Sequence, residues 1–298
     1  MKRIVFASFK ANSADLDFTF TLEDERLLKE PLRVRGVDVS TIHWDDKDTD
    51  WASFDAVIIR STWDYHHRWE EFSAWLASLE NKGVTVLNPI SMLRWNIDKV
   101  YLGTLSQYDI RTLPTLFVER GGTANLASIL REHGWERGVV KPTISAGGDN
   151  TWRFNAENAT ELQTQFDEQI QRQTVMIQQY ADKIAEGEWS FHFFNGIYSH
   201  TVNKVPAEGE MFVHLHRGGK MVEVQPTASH IGQASNIVRA IQKATGILPL
   251  YARVDVVVDG DTLTLMELEL VEPYLYMLYA DSNTPSRFAD AIAQQVGA

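Results

Sequence analysis

The chain of 298 residues contains no cysteine, which excludes disulfide bonds, thiolate metal ligands and cysteine nucleophiles together. Basic residues are scarce, since 28 Lys and Arg stand against 40 Asp and Glu, and the formal net charge is −12. This acidity argues against nucleic acid or an anionic membrane as a partner. The apolar run after Met1 ends by Ser8, which is too short for a signal peptide, and no run approaches the length of a membrane-spanning helix. We therefore expect a cytoplasmic protein.

Three common glycine motifs are absent as well. Neither G-x-x-x-x-G-K-[ST] nor G-x-G-x-x-G occurs, so the P-loop and the dinucleotide-binding fingerprint are excluded. The G-x-S-x-G elbow that would support a Ser-His-Asp hydrolase is missing too. Any nucleotide site in this chain must therefore be built from other residues.

Strand and helix patterns alternate over residues 1–88, which predicts a small α/β unit with a parallel sheet. Open α/β sheets bind ligands at the carboxyl ends of their strands. Arg60, Thr62 and Asp64 directly follow the strand D-A-V-I-I, so we predict that they face a small substrate. The alternative is an ordinary polar loop between a strand and a helix.

The next two residues, His66 and His67, have no partner at a spacing typical of a metal site, and we interpret them as surface residues. Residues 206–220 are rich in glycine and mixed in charge, which is typical of a mobile lid. Within that segment, we assign His214 and His216 to the lid or to a strand rather than to a metal.

A second glycine-bearing segment, T-I-S-A-G-G-D-N-T, follows the strand that ends in Lys141 and Pro142. Free backbone N–H groups placed just after a lysine can cradle a phosphate. Taken alone, the same residues also suit an ordinary hairpin loop.

Acidic residues alternate in the segment 251–273, where Asp259 and Gly260 predict the turn of a β-hairpin. Because side chains alternate faces along a strand, Glu267 and Glu269 point the same way, and Asp255 on the partner strand can reach that face. Three carboxylates repel one another unless a cation lies between them, and all-oxygen ligands suit Mg²⁺. The alternative is that these acids mark the solvated face of an edge hairpin.

Several sequence segments, in their order along the chain, resemble those of the ATP-grasp superfamily, which includes D-alanine–D-alanine ligase and glutathione synthetase. They are I-R-S-T-W-D-Y, N-P-I-S-M-L-R-W-N-I-D-K, V-V-K-P, G-E-W-S, Y-A-R-V-D and M-E-L-E-L-V-E-P. The likeness is closest to the bacterial branch with the cyclo-ligase of D-cycloserine biosynthesis. It implies an α/β (α+β) ATP-grasp fold with an N-terminal α/β domain (1–88), a linker helix and central lid domain (89–174), and a C-terminal domain with the Mg²⁺ site (175–298).

The resemblance also implies a role for each matching residue. ATP would be bound by Lys99, Lys141, Ser145, Gly147, Gly148, Gln178, Gln179, Tyr180 and Glu188. Among these, the two lysines would hold phosphates, the backbone of Gln179 and Tyr180 would read adenine, and Glu188 would bind the ribose. One or two Mg²⁺ ions, replaceable by Mn²⁺, would be ligated by Asp255, Glu267 and Glu269. Catalysis would fall to Arg253 and Lys204, and substrate binding to Arg60, Thr62, Asp64 and Glu272. Many family members carry Asn where Glu269 stands.

These features predict an ADP-forming ligase that depends on ATP and Mg²⁺. The carboxylate of an amino-acid-like substrate would become an acylphosphate, which an amine nitrogen of a second molecule or of the same molecule would capture. A nucleotide-binding regulator without ligase chemistry and a small-molecule kinase are the alternatives. The relatives also imply a homodimer.

Overall fold

The computed structural model describes residues 1–10, 19–210, 212–213 and 218–298. His214 and His216 lie outside these residues. The described chain is mixed α/β, as predicted, and its strands form three separate sheets within residues 2–87, 115–179 and 188–269. Across the described ranges, no helix combines the length and apolar character needed to cross a membrane.

The first sheet is parallel throughout, with the order β2-β1-β3-β4. Its elements are β1 (Lys2–Ser8), α1 (Thr19–Val34), β2 (Val37–His43), β3 (Ala56–Ser61), α2 (Trp69–Asn81) and β4 (Val86–Leu87). A parallel sheet needs cover on both faces. Phe72 and Leu76 of α2 pack on one face, while α1 packs on the other together with the last helix of the chain, α8 (Thr284–Val296). The domain boundaries after residues 88 and 174 stay predictions.

The second sheet is antiparallel, with the order β5-β8-β6-β7. Its strands and helices are β5 (Thr115–Val118), α5 (Leu126–His133), β6 (Arg137–Pro142), β7 (Trp152–Asn155), α6 (Ala159–Arg172) and β8 (Val175–Gln179). The two helices share one apolar core with the strands, centred on Phe154 and Phe166. The predicted glycine-bearing segment, residues 143–151, joins β6 to β7. We call it the glycine loop.

The third sheet is antiparallel, with the order β11-β10-β9-β12-β13. Its elements are β9 (Glu188–Phe194), β10 (Ile197–Val205), β11 (Lys220–Val222), α7 (Ala228–Thr245), β12 (Tyr251–Asp259) and β13 (Thr262–Glu269). Both predicted hairpins are present. Asn195 and Gly196, both at positive φ, form the turn of the first, and Gly260 at φ +58° forms that of the second.

The outer edge of β13 is covered by two short helices, α3 (Ile90–Ile97) and α4 (Tyr101–Leu105). Asn96 donates to the carbonyl oxygen of Leu268 at 2.8 Å and accepts from the amide of Leu270 at 2.8 Å. The Tyr101 hydroxyl donates to that same Leu268 carbonyl and accepts from the Leu268 amide. These side chains satisfy the backbone groups that an edge strand leaves open, so the acidic end of β13 has a defined position.

Candidate active site

A cavity of about 490 Å³ runs between the three sheets, and its size suits a small-molecule site. One end combines apolar side chains with a short polar stretch: Leu113, Val139, Gln178, Gln179, Tyr180, Phe212, Val213 and Met266. Charged side chains line the middle: Lys99, Lys141, Glu188, Lys204, Arg253, Asp255, Glu267 and Glu269. The far end is aromatic and carries one further carboxyl group: Trp63, Tyr65, Glu272, Tyr274 and Tyr276.

The three carboxylates predicted to hold metal lie on one face of the β12–β13 hairpin. Asp255 pairs with Glu267 across the two strands, and Arg253 pairs with Glu269. Residues directly opposite each other in a sheet point to the same face. All four side chains therefore project into the cavity.

Each of these carboxylates contacts a cation of the protein itself. Lys99 Nζ lies 3.2 Å from Glu267 Oε1. Arg253 Nη2 lies 2.9 Å from Asp255 Oδ2 and also contacts Glu269. Lys204 Nζ lies 3.3 Å from Asp255 Oδ2 and forms a second ion pair with Glu188. The middle of the cavity is therefore a compensated network of acids and bases.

The network divides the acids by their pKa values. Burial would raise the pKa of Asp255, but Arg253 and Lys204 outweigh it and hold the pKa at about 2. Burial raises the pKa of Glu269 to about 7 and that of Glu272 to about 8. For Glu267, the attraction of Lys99 and Lys141 exceeds the effect of burial, and its pKa is lowered. The network thus favours the ionised form of Asp255 and Glu267, whereas burial favours the protonated form of Glu269 and Glu272.

The donor set fits a hard divalent cation. Asp255, Glu267 and Glu269 offer carboxylate oxygens from one face of one hairpin, which is the kind of ligand that Mg²⁺ prefers. A divalent cation bound there would neutralise the same carboxylates that Lys99 and Arg253 contact.

The glycine loop lies over the same charged region. Lys99 Nζ donates to the carbonyl oxygen of Ser145 at 2.6 Å, so one lysine connects the loop to Glu267. Gly147 and Gly148 both have positive φ. A Cβ atom on Gly148 would come within 2.5 Å of the Phe212 ring, so a side chain there would clash with the segment above. Burial lowers the pKa of Lys141, which lies beside this loop at the end of β6.

The residues predicted to bind adenine and ribose also line the cavity. Gln178 donates from its side chain to Thr115 at 3.0 Å. The backbone amide of Gln179 donates to Pro114, and that of Tyr180 donates to Arg137. Any contact of these two residues with adenine must therefore use groups other than their N–H. Glu188 is held by Lys204.

Arg60, Thr62 and Asp64 are not among the described residues that line the cavity. Arg60 is buried, lies over the rings of Tyr251 and Phe288, and donates to the Pro273 carbonyl at 3.3 Å.

Thr62 is fully buried, and Asp64 accepts from Trp44 at 2.8 Å and pairs with Arg68. Instead, the aromatic residues of the same segment, Trp63 and Tyr65, reach the cavity. Sequence reasoning missed both, although their positions between the polar residues were a usable signal.

Two family descriptions match consecutive parts of this chain. Residues 4–88 match the N-terminal domain of D-cycloserine synthetase DcsG, and residues 102–274 match the ATP-grasp domain of prokaryotic glutathione synthetase. The second match alone covers more than half of the chain. The chain belongs to the ATP-grasp family. It is therefore an ATP-dependent ligase that joins a carboxylate to an amine nitrogen. Members of the family use ATP and a divalent metal ion, and neither the regulator nor the kinase alternative is favoured.

Individual ATP-grasp proteins are similar to this chain over almost its full length. The cycloserine biosynthesis protein DcsG of Streptomyces lavendulae is 27% identical over 281 residues, which cover 90% of this chain and 92% of that protein. The crystal structure of D-cycloserine synthetase DcsG superposes with a TM-score of 0.85 at 25% identity, covering 99% of both chains. D-alanine–D-alanine ligase from Bacillus anthracis, in complex with ATP, shares the fold with a TM-score of 0.71 at 17% identity, covering 99% of this chain and 97% of that one.

Proposed function

We propose that this ATP-grasp ligase activates the carboxylate of a small, amino-acid-like molecule and closes that molecule into a ring. The observation that carries the proposal is the single cavity in which Lys99 and Lys141 meet Asp255, Glu267 and Glu269. Cations and metal-binding acids that line the same cavity suit a polyphosphate, because phosphoryl transfer depends mainly on positioning and charge neutralisation.

The proposed reaction has two steps. A carboxylate oxygen of the substrate attacks the γ-phosphorus of ATP, and ADP leaves. The amine nitrogen then attacks the acyl carbon, inorganic phosphate leaves, and the nitrogen loses a proton. Phosphorylation is needed because a carboxylate is a poor electrophile, whereas phosphate is a good leaving group.

Each part of the cavity has a role in this scheme. Asp255, Glu267 and Glu269 would hold Mg²⁺, which when bound shields the negative charge of the phosphates. Lys99 and Lys141, with the glycine loop, would bind the phosphates of ATP. Gln178, Gln179 and Tyr180 would face adenine, and Glu188 would face the ribose. Arg253 and Lys204 would stabilise charge as it develops on the transferred phosphoryl group.

The aromatic end of the cavity would take the substrate. Glu272, a buried carboxyl group that lines this end, would bind its amino group. Capture by a nitrogen of the same molecule is supported by the match of residues 4–88 to the N-terminal domain of D-cycloserine synthetase. Substrate roles for Arg60, Thr62 and Asp64 stay predictions, as do the homodimer and the cytoplasmic location.

The test is Mg²⁺-dependent release of ADP with a panel of amino acids and O-ureidoserine-like compounds, followed by mass detection of the product. Ring closure yields a product one water lighter than its single substrate, whereas joining two molecules yields a heavier one. Glu269→Ala and Lys141→Ala should each lower the rate by about 100-fold or more. Exposed residues offer matched controls, Glu186→Ala and Lys183→Ala, which should retain wild-type rates. Near-wild-type turnover in both site variants would contradict the assignment.

A further inference from the structure

Three potential metal ligands that do not belong to the acidic hairpin meet on the lining of the cavity. His66 and His67 belong to the turn after β3, whereas Asp149 belongs to the glycine loop. One donor atom from each residue lies within 4.8 Å of the other two. Nδ1 of His67 is 3.9 Å from Oδ2 of Asp149. The fold thus supplies the third partner that the sequence around the two histidines lacks.

His66 is in a state that suits a ligand. Its Nδ1 atom is buried and has no hydrogen-bond partner within the described part of the chain. A buried polar atom of this kind costs about 1–3 kcal/mol unless something binds it. A metal ion that bound the Nδ1 atom of the neutral imidazole would give it the missing partner.

The donor types select the class of ion. Two imidazoles and one carboxylate suit Zn²⁺ and its neighbours in the first transition row, whereas Mg²⁺ prefers oxygen ligands. Ligand atoms around Zn²⁺ lie roughly 3.4 Å from one another, as follows from bonds of about 2.0–2.1 Å in a tetrahedron. The donors, which lie within 4.8 Å of one another, need to approach by at most about 1.4 Å. Rotation of the side chains of His67 and Asp149, which are 64% and 44% exposed, can supply this movement.

We propose that His66, His67 and Asp149 form a binding site for a zinc-class divalent cation that ties the glycine loop to the N-terminal sheet. The two histidines lie in the turn that follows β3, and Asp149 follows directly on Gly147 and Gly148. An ion held by all three residues would therefore restrain the loop where it lines the cavity. This site is separate from the carboxylates of the hairpin and takes a different metal.

The test is calorimetric titration of Zn²⁺ into the full chain saturated with Mg²⁺ and ADP, which occupy the other site. One zinc ion should bind to the wild type. His67→Ala and Asp149→Asn should each weaken its binding by at least about tenfold, since loss of even an outer-shell partner has effects of 10–100-fold. His133→Ala, which removes an exposed histidine on α5, is the matched control and should bind zinc like the wild type.

A second measurement tests the restraint itself. Amide hydrogen exchange in residues 144–150 should slow when Zn²⁺ binds to the wild type and should not change in His67→Ala. Co²⁺ in place of Zn²⁺ should give visible absorption bands that both variants lose. Absence of zinc binding to the wild type, or equal affinity in the wild type and both variants, overturns the site. Unchanged exchange in the zinc-bound wild type overturns the tie between the loop and the sheet.

Discussion

Two regions of this ligase bury charged groups in different ways. On the β12–β13 hairpin, acids and bases contact one another directly, and the network faces a cavity. At the end of β3, Arg60 makes no ion pair with a described residue, but its charge lowers the pKa of the buried Asp24 and Glu25 against the larger effect of burial. In the first region, acids and bases are in direct contact. In the second, ionisable groups are buried in the N-terminal core without a direct ion pair, which costs stability.

The largest expected effect comes from breaking the paired network. Asp255→Asn removes the charge that Arg253 and Lys204 share, and removing one partner of a buried ion pair typically costs about 3–5 kcal/mol. Urea denaturation should show this loss of unfolding free energy, and ADP release should fall by about 100-fold or more. Asp259→Asn, at the exposed end of the same strand, should cost less than about 1 kcal/mol. Equal unfolding free energies of the two variants would contradict the expected cost of leaving Arg253 and Lys204 buried without Asp255.

The buried carboxyl group of Asp24 should make the stability of the protein depend on pH. Burial raises the pKa of Asp24 from its ordinary value of 3.8 to about 7. Between these two values, the folded state holds a proton that the unfolded chain has released, so stability falls as pH rises. The total loss is about 4 kcal/mol once the pH exceeds 7. Urea denaturation of Asp24→Asn should show a stability advantage over the wild type that grows from pH 5 to pH 7 and then levels off.

The control for this experiment is Asp38→Asn, which changes an exposed acid on β2. Its unfolding free energy should run parallel to that of the wild type over the same pH range. A constant difference between Asp24→Asn and the wild type at every pH would contradict the buried, proton-holding state of Asp24.

The smallest effect is expected at Asp64, which follows β3 and forms an ion pair with Arg68. Asparagine can still accept the hydrogen bond from Trp44, and Arg68 keeps its ion pairs with Asp45 and Glu71. Asp64→Asn should therefore cost less than about 1 kcal/mol and leave the KM for the substrate unchanged. Steady-state kinetics over a range of substrate concentrations measure this. A KM raised tenfold would instead support the substrate role predicted for this segment.

The features that depend on a few neighbouring residues could be predicted from the sequence. The Asn195-Gly196 turn predicted the hairpin of β9 and β10, and alternation placed Glu267 and Glu269 on one face. Both follow from local geometry, because a strand has a period of two and a tight turn needs positive φ. A linker helix was predicted within residues 89–174, but the bounds of α3 were not, since no capping side chain marks its start at Pro89.

What the sequence alone determined is the kind of chemistry each segment can supply: acids in alternation, a lysine before a glycine loop, and no cysteine anywhere. The tertiary structure decided which of these groups meet. Lys99 contacts Glu267 although 168 positions separate them (267 − 99), and Asp149 reaches His67 across 82 (149 − 67). Local patterns are set by the geometry of the backbone. Contacts between distant residues depend on how helices and sheets bury their apolar faces, and no short stretch of sequence specifies that packing.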